Sequence, residues 1–290
     1  MLCFPHAKIN LGLYVTNKRS DGFHNIQTLF YPIPSHDILE IVPADKPALY
    51  LSGQALEGAA ESNSCWKAYR LLQNDYDLPP VAIYLHKLIP AGAGLGGGSS
   101  DATHTLLMLN RLFELLLSDE QLLDYAAQLG SDCAFFTQTQ PMLAEGRGEL
   151  LRSVKLSLNG YYLLLVLPGV HVSTAEAYAG ISPKAPQYAL ETTIHLPVEE
   201  WRQQLSNDFE EHIFRKYPLL SEIKTTLYNK GAVYAAMSGS GSTVFGLFTD
   251  EQLCKEAATG FELSNNIDLQ LFSLSANRQF AANSYGKLCG

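Results

Sequence analysis

Five glycines fall between positions 92 and 98 in the stretch Ile89-Pro-Ala-Gly-Ala-Gly-Leu-Gly-Gly-Gly-Ser-Ser-Asp101. Val81 to Leu88, just before it, reads as a strand, and Thr103 to Leu117, just after, as an apolar helix. Without Cβ atoms, a backbone can take φ > 0 and approach a ligand closely. Ser99, Ser100 and Asp101 are candidate N-caps, so the loop ends where unpaired helix N–H groups and the positive end of the dipole point outward. Such a loop attracts an anion, most often phosphate.

Two common readings of a glycine loop fail here. Gly92, Gly94 and Gly97 satisfy G-x-G-x-x-G, but a nicotinamide dinucleotide fold needs a second strand about 20 residues on, ending in Asp or Glu. This chain instead continues into another helix, opened by Ser118 and Gln121 as a capping box. No Gly-Lys-Ser/Thr closes the loop, so the Walker pattern fails too. A flexible linker remains the bland alternative, and the flanking strand and helix argue against it.

Taken in order, Lys8–Val15, Phe23–Ile33 and Asp37–Val42 alternate apolar and polar residues, with an Asp-Gly turn between the first two, and are predicted to be antiparallel strands. A helix is predicted over 62–76 with Asn63 or Ser62 as cap, broken by Asp77–Pro80. Gly130 to Phe136 should end one helix and begin a short one. Glu145-Gly-Arg-Gly-Glu149 is a tight turn, and Tyr161–Leu167 is a buried strand. Ser173 with Glu176 opens a helix through Tyr178.

The proline-containing stretch 181–197 is the best candidate boundary, dividing the chain into 1–180 and 181–290. Beyond it come a helix around 198–205, a helical region Asn207–Asn229 and strand Val233–Met237. The second glycine loop, Ser238-Gly-Ser-Gly-Ser242, reads equally as a hairpin turn or as an anion nest. Thr243–Phe248, a helix near 250–260 and a strand near 268–274 complete an α+β half.

The 290 residues suffice for one large or two ordinary domains. No apolar run approaches membrane-spanning length and no secretory signal is apparent, so a cytoplasmic protein is expected. The five cysteines include no C-x-x-C pair, which fits reduced thiols. A net charge of −9 disfavours nucleic acid as partner and means that an anionic ligand must be held by local positive potential. No membrane or obligate protein partner is expected.

Three segments together resemble the GHMP kinases. Pro90–Ser100 resembles their phosphate loop, Ala7-Lys-Ile-Asn-Leu-Gly-Leu13 their N-terminal motif, and Met237-Ser-Gly-Ser-Gly-Ser-Thr-Val-Phe-Gly246 their third. The resemblance implies a two-domain GHMP kinase fold of the α+β class: an N-terminal domain like ribosomal protein S5 domain 2, a ferredoxin-like C-terminal domain, and ATP and substrate in the cleft between. Arg19–Phe30, Gly130-Ser-Asp132 and Asn207–Glu210 are similar to the branch that phosphorylates the 2-hydroxyl of a cytidylylated methylerythritol in non-mevalonate isoprenoid synthesis. Mevalonate-type or homoserine-type kinases are the alternative within the family, disfavoured by Asp21-Gly-Phe-His24.

Carried over by motif, Lys8 and Asp132 are the implied catalytic pair. Asp132 alone reads as well as a helix-end carboxylate, and Lys8 alone as a solvated strand residue. ATP is implied to contact Pro90, Ala91, Gly92, Ala93, Gly94, Leu95, Gly96, Gly97, Gly98, Ser99 and Ser100, with Lys87 and Asn63 near its end. Asn10, Phe23, His24, Thr174, Tyr178, Gly239 and Ser240 are the implied substrate positions. Phe23 stands where tyrosine is common in the family, keeping the ring and losing the hydroxyl. A divalent ion, Mg2+, is expected with ATP. Its ligands are not evident, although Ser99, Ser100 or the phosphates themselves would serve.

Overall fold

A computed structural model of the chain describes residues 1–55, 59–261 and 267–275. The first part of the chain forms β1 (Leu2–Cys3), β2 (His6–Lys18), β3 (His24–His36), β4 (Ile38–Pro43) and β5 (Ala48–Gly53), then α1 (Ser64–Tyr76) and β6 (Val81–Lys87). Next come α2 (Gly97–Leu112), α3 (Asp119–Leu129), β7 (Met142–Glu145), β8 (Leu150–Ser153), β9 (Tyr161–Leu167) and α4 (Thr174–Ala179). The last third comprises α5 (Leu190–Thr193), α6 (Trp201–Gln204), α7 (Phe209–Lys216), α8 (Pro218–Asn229), β10 (Tyr234–Met237), β11 (Val244–Phe248), α9 (Glu251–Thr259) and β12 (Asp268–Leu274).

These strands make three four-stranded sheets, in the orders β1-β4-β6-β5, β2-β3-β7-β8 and β10-β11-β9-β12. β6, which feeds the glycine loop, pairs antiparallel with β4 and parallel with β5, unlike a doubly wound dinucleotide fold. α1 and α2 pack over this first sheet around Tyr69, Leu72, Ile83 and Leu109. The long β2–β3 pair shifts register at three places, so it bends as bulged ribbons do. Its apolar residues Ile9 and Leu11 enter a core shared with Leu163, Leu165 and Phe245 of the third sheet. The third sheet therefore includes a strand, β9, from before the division expected at 181.

Several local expectations match in detail. Asn63 caps α1 by accepting from Cys65 N, Ser118 and Gln121 form the capping box of α3, and Ser173 accepts from Glu176 N at the start of α4. α2 departs from expectation at both ends. It begins at Gly97 with Gly96 as a cap that has no side chain, so Ser99, Ser100 and Asp101 lie inside the helix and do not cap it. It stops at Leu112 because the chain then passes through left-handed residues Glu114 (φ 50°) and Leu116 (φ 56°). The helical region over 207–229 is two helices, since Pro218 cannot donate into a continuous helix and instead starts the second.

The four described cysteines are buried free thiols, and Cys289 lies outside the described residues. Among the described residues, no helix is long and apolar enough to cross a membrane.

Candidate active site

β2 presents alternate side chains to two faces, and the polar face is not solvated. Lys8 and Asn10 are both buried there. The Lys8 ammonium donates to Asn10 Oδ1 (2.6 Å), Asn10 Nδ2 donates to Thr28 Oγ1 (2.9 Å), and Thr28 donates to the Gly12 carbonyl (2.6 Å). The chain of bonds orients Lys8 toward Asp132, 3.4 Å away at the start of the short helical turn Cys133–Thr137. Lys8 also lies over the Phe30 ring, 5.1 Å from its centroid. Burial pushes the Lys8 ammonium below its ordinary value, and the Asp132 charge opposes that shift.

Both glycine loops converge on this lysine. Lys8 N donates to the Leu95 carbonyl (2.9 Å), which ties the first loop to β2. The second loop holds the first through Ser238 Oγ donating to the Gly94 carbonyl (2.8 Å) and Thr243 N donating to the Ala93 carbonyl (3.3 Å). At Gly94 (φ +77°) a Cβ would fall 2.0 Å from the Ser238 carbonyl oxygen, so only glycine permits this backbone contact. The Ser238–Ser242 segment is thus the turn between β10 and β11 and also a wall of the site. Asn207 secures it by donating to the Met237 and Gly239 carbonyls (2.8 Å each).

One cleft of about 760 Å3 joins these parts. Pro90, Gly92, Ala93, Gly94, Gly96, Gly97, Gly98 and Ser99 line it from the first loop, and Gly239 and Ser240 from the second. Lys8, Asn10 and Asp132 lie between them, and Phe23, His24, Thr174 and Tyr178 form a further wall. The uncapped N-terminus of α2 opens at this cleft, where its N–H groups and dipole favour a phosphate. His24 and Tyr178 stack on one another, 4.8 Å between centroids, so in this arrangement no base fits between that pair.

Other expected contacts fall elsewhere. Lys87 is sealed from solvent, its ammonium bridging Asp37 and Asp101 (2.6 Å to the latter). This corrects the expectation of an ATP contact: a desolvated ammonium needs counter-charges, and two carboxylates from distant parts of the chain supply them. Asp37 Oδ1 also accepts from Leu88 N and Ile89 N (2.6 and 2.8 Å), so the ion cluster anchors the start of the glycine loop to α2. Burial pushes the Asp101 carboxyl up to about 7 even against the pull of Lys87, and Asp37 adds to the rise. Asn63 spends its side-chain oxygen on the α1 cap while its neighbour Ser64 lines the cleft. Leu95 and Ser100 are buried. Ala91 borders a smaller crevice of about 410 Å3 with Gln54 and His171.

The cleft also contains residues that sequence reasoning passed over: Arg147, Ser131, Phe30 and Phe209. Arg147 had a local signal, since a cation flanked by glycines in a tight turn is held out from the chain. Phe30, Ser131 and Phe209 lie inside the motifs Arg19–Phe30, Gly130-Ser-Asp132 and Asn207–Glu210, and that membership was the signal that could have singled them out.

Residues 63–140 match the model of the GHMP kinases N terminal domain and residues 193–261 that of the GHMP kinases C terminal. The chain is 54% identical over 256 residues to a Bacteroides fragilis protein named 4-diphosphocytidyl-2-C-methyl-D-erythritol kinase, covering 87% of this chain and 93% of the relative. A Bacteroides thetaiotaomicron protein of the same name is 50% identical over 264 residues, covering 90% and 96%. A crystal structure of 4-(cytidine 5'-diphospho)-2C-methyl-D-erythritol kinase superposes with a TM-score of 0.79 at 30% identity, covering 93% of this chain and 98% of that one. A mevalonate kinase structure, at 16% identity and a TM-score of 0.68 over 94% of this chain and 98% of that one, shares the fold.

Proposed function

The chain belongs to the GHMP kinases, and from that premise we propose that it transfers the γ-phosphate of ATP to the 2-hydroxyl of 4-diphosphocytidyl-2-C-methyl-D-erythritol, giving the 2-phosphate and ADP. The observation that carries this reading is a single cleft that joins an open helix N-terminus, a lysine–carboxylate pair and an aromatic wall. The relatives at 50–54% identity, which bear the name of that kinase, supply the substrate. We read the two domains as dividing ahead of β9, because later strands are hydrogen-bonded to it on both sides.

In this reading the ATP phosphates lie on Gly94–Ser99, where N–H groups of the α2 terminus and the dipole oppose their charge. Asp132 accepts the proton of the attacking hydroxyl, a role that contributes roughly 10²–10⁴ in rate. Lys8 keeps that carboxylate ionised and offsets charge gathering on the phosphoryl group, with extra force because it is desolvated. Phe23, His24 and Tyr178 hold the cytidine, and Asn10 and Thr174 the alcohol. Lys87 acts from beneath, holding the loop in shape.

A divalent ion would supply neutralisation of the triphosphate. Among the described residues no three His, Cys, Asp or Glu side chains are grouped so as to hold a metal ion. Ser100 is buried beside His104, whereas Ser99 faces the cleft. A Mg2+ ion commonly keeps several waters and draws ligands from the nucleotide, so this donor set fits one held by phosphates, water and the Ser99 hydroxyl.

An ADP-release assay tests the reaction. Turnover is expected with the cytidylylated alcohol and not with mevalonate or homoserine; turnover of either smaller alcohol in its place would overturn the assignment.

A further inference from the structure

If the reading above holds, the acceptor substrate carries a diphosphate between its nucleobase and its reacting alcohol, and a chain of net charge −9 must meet that anion with a local cation. Among the described residues, Lys8 and Arg147 are the lysine and arginine that line the cleft. Lys8 is already engaged by Asp132 and Asn10. We infer that Arg147 is the residue that binds the substrate's diphosphate, and so the side chain that selects a nucleoside-diphosphate-linked alcohol over a small free one.

The position of Arg147 supports that role. It sits at the tip of the turn between β7 and β8, next to Gly148. A Cβ built on Gly148 would lie 3.6 Å from the Ser131 carbonyl and 3.8 Å from Asp132 Oδ1, so this turn rests against the catalytic carboxylate. The guanidinium carbon, in turn, lies 5.2 Å from the Phe23 ring centroid. Arg147 therefore bridges from the reacting end of the cleft to its aromatic wall, the interval that a diphosphate linker has to cross.

The turn is rigid where it needs to be. Glu149 Oε2 accepts from Arg147 N (2.5 Å), Gly146 O accepts from Ile26 N (2.7 Å), and Glu145 O accepts from Gly148 N (3.0 Å). The side chain itself stays 35% exposed. Its Nε stands 3.7 Å from Glu149 Oε1, beyond hydrogen-bond reach, so Glu149 moderates the charge without occupying the donors. Contact with the Phe23 face restrains the guanidinium plane. A planar fork of donors suits two phosphate oxygens at once, which an ammonium in this place would not.

The test compares wild type with Arg147→Ala, Arg147→Gln and Arg147→Lys, using steady-state kinetics with the cytidylylated alcohol and competition by CDP and by cytidine. Thermal unfolding identifies any variant that fails to fold, in which case the other two decide. Losing a charge-assisted pair of hydrogen bonds should raise KM for the alcohol roughly 10- to 100-fold in the Ala and Gln variants. KM for ATP and kcat should stay within a few-fold. The preference for CDP over cytidine should fall by a similar factor, with Lys intermediate. An unchanged preference, including the case in which CDP and cytidine weaken in parallel, would overturn the inference and leave Arg147 as a support for the Phe23 ring. No turnover of the cytidylylated alcohol by wild type would instead overturn the functional reading underneath, and with it this one.

Discussion

Lys8 and Asp132 face each other across 3.4 Å, yet the lysine side chain is 3% exposed and the aspartate 33%. The ammonium is nearly buried where it borders the cleft while the carboxylate is the more open of the two, so an incoming hydroxyl would meet the proposed base first and the ammonium behind it.

Asp132→Asn keeps the shape and removes the proton acceptor. We expect kcat to fall by roughly 10²–10⁴ with KM for both substrates within a few-fold, the pattern of an interaction made in the transition state. Because burial lowers the Lys8 pKa and the Asp132 charge opposes this, the variant's residual activity should decline at lower pH on the alkaline side than wild type does. A near-normal kcat would return Asp132 to the role of a helix-end carboxylate.

Lys87→Met separates support from ligand contact. Removing the cation leaves Asp37 and Asp101 buried without it, and breaking a buried pair in this way costs roughly 3–5 kcal/mol. Urea denaturation should show that loss. A rise in KM for ATP with an unchanged urea midpoint would mean that Lys87 reaches the nucleotide.

Gly96→Val tests the loop. The residue has φ +73°, and a Cβ would meet Phe136 Cζ at 2.7 Å and Lys8 Cε at 3.2 Å. Backbone strain of roughly 1–3 kcal/mol together with the steric conflict should raise KM for ATP at least about 10-fold. Because the new side chain also presses on Lys8, kcat should fall as well, while CDP competition at the aromatic end stays within a few-fold of wild type.

Two buried histidines set an acid limit. Burial first, then the charge of His104, lowers His6 to about 3, and burial lowers His104 to about 4. Both lie below the unfolded value of 6.5, so their stability is fully present above pH 6.5 and is lost as pH falls toward 4, where the unfolded chain takes up protons that the native state refuses. Each contributes up to roughly 1.4 kcal/mol per pH unit in that window. Urea midpoints measured from pH 7 to 4.5 should fall steadily, and His104→Asn should flatten the slope; a slope that is the same in both would exclude His104 as a cause.

Much of the local structure is legible along the chain because its causes lie within a turn or two. The Asn63 cap, the Ser118–Gln121 box and the uninterrupted apolar run Tyr161–Leu167 each state their own outcome. The loop at Gly92–Gly98 likewise announces close backbone approach, and the motifs around it point to the family. Partnership over distance is another matter. Lys8 and Lys87 both occupy strands with alternating polar and apolar residues, and nothing nearby distinguishes the one that faces the cleft from the one locked between two carboxylates.

By itself, then, the sequence determined the loop, the caps, most strands and the family, since propensity, capping and backbone freedom depend on near neighbours. The tertiary structure alone decided that Lys87 lies beneath the site, that Ser238 presses on Gly94, and that Arg147 stands between Asp132 and Phe23. A charge or a bare backbone acquires its role from what folding brings within a few ångströms of it, and those neighbours come from far along the chain.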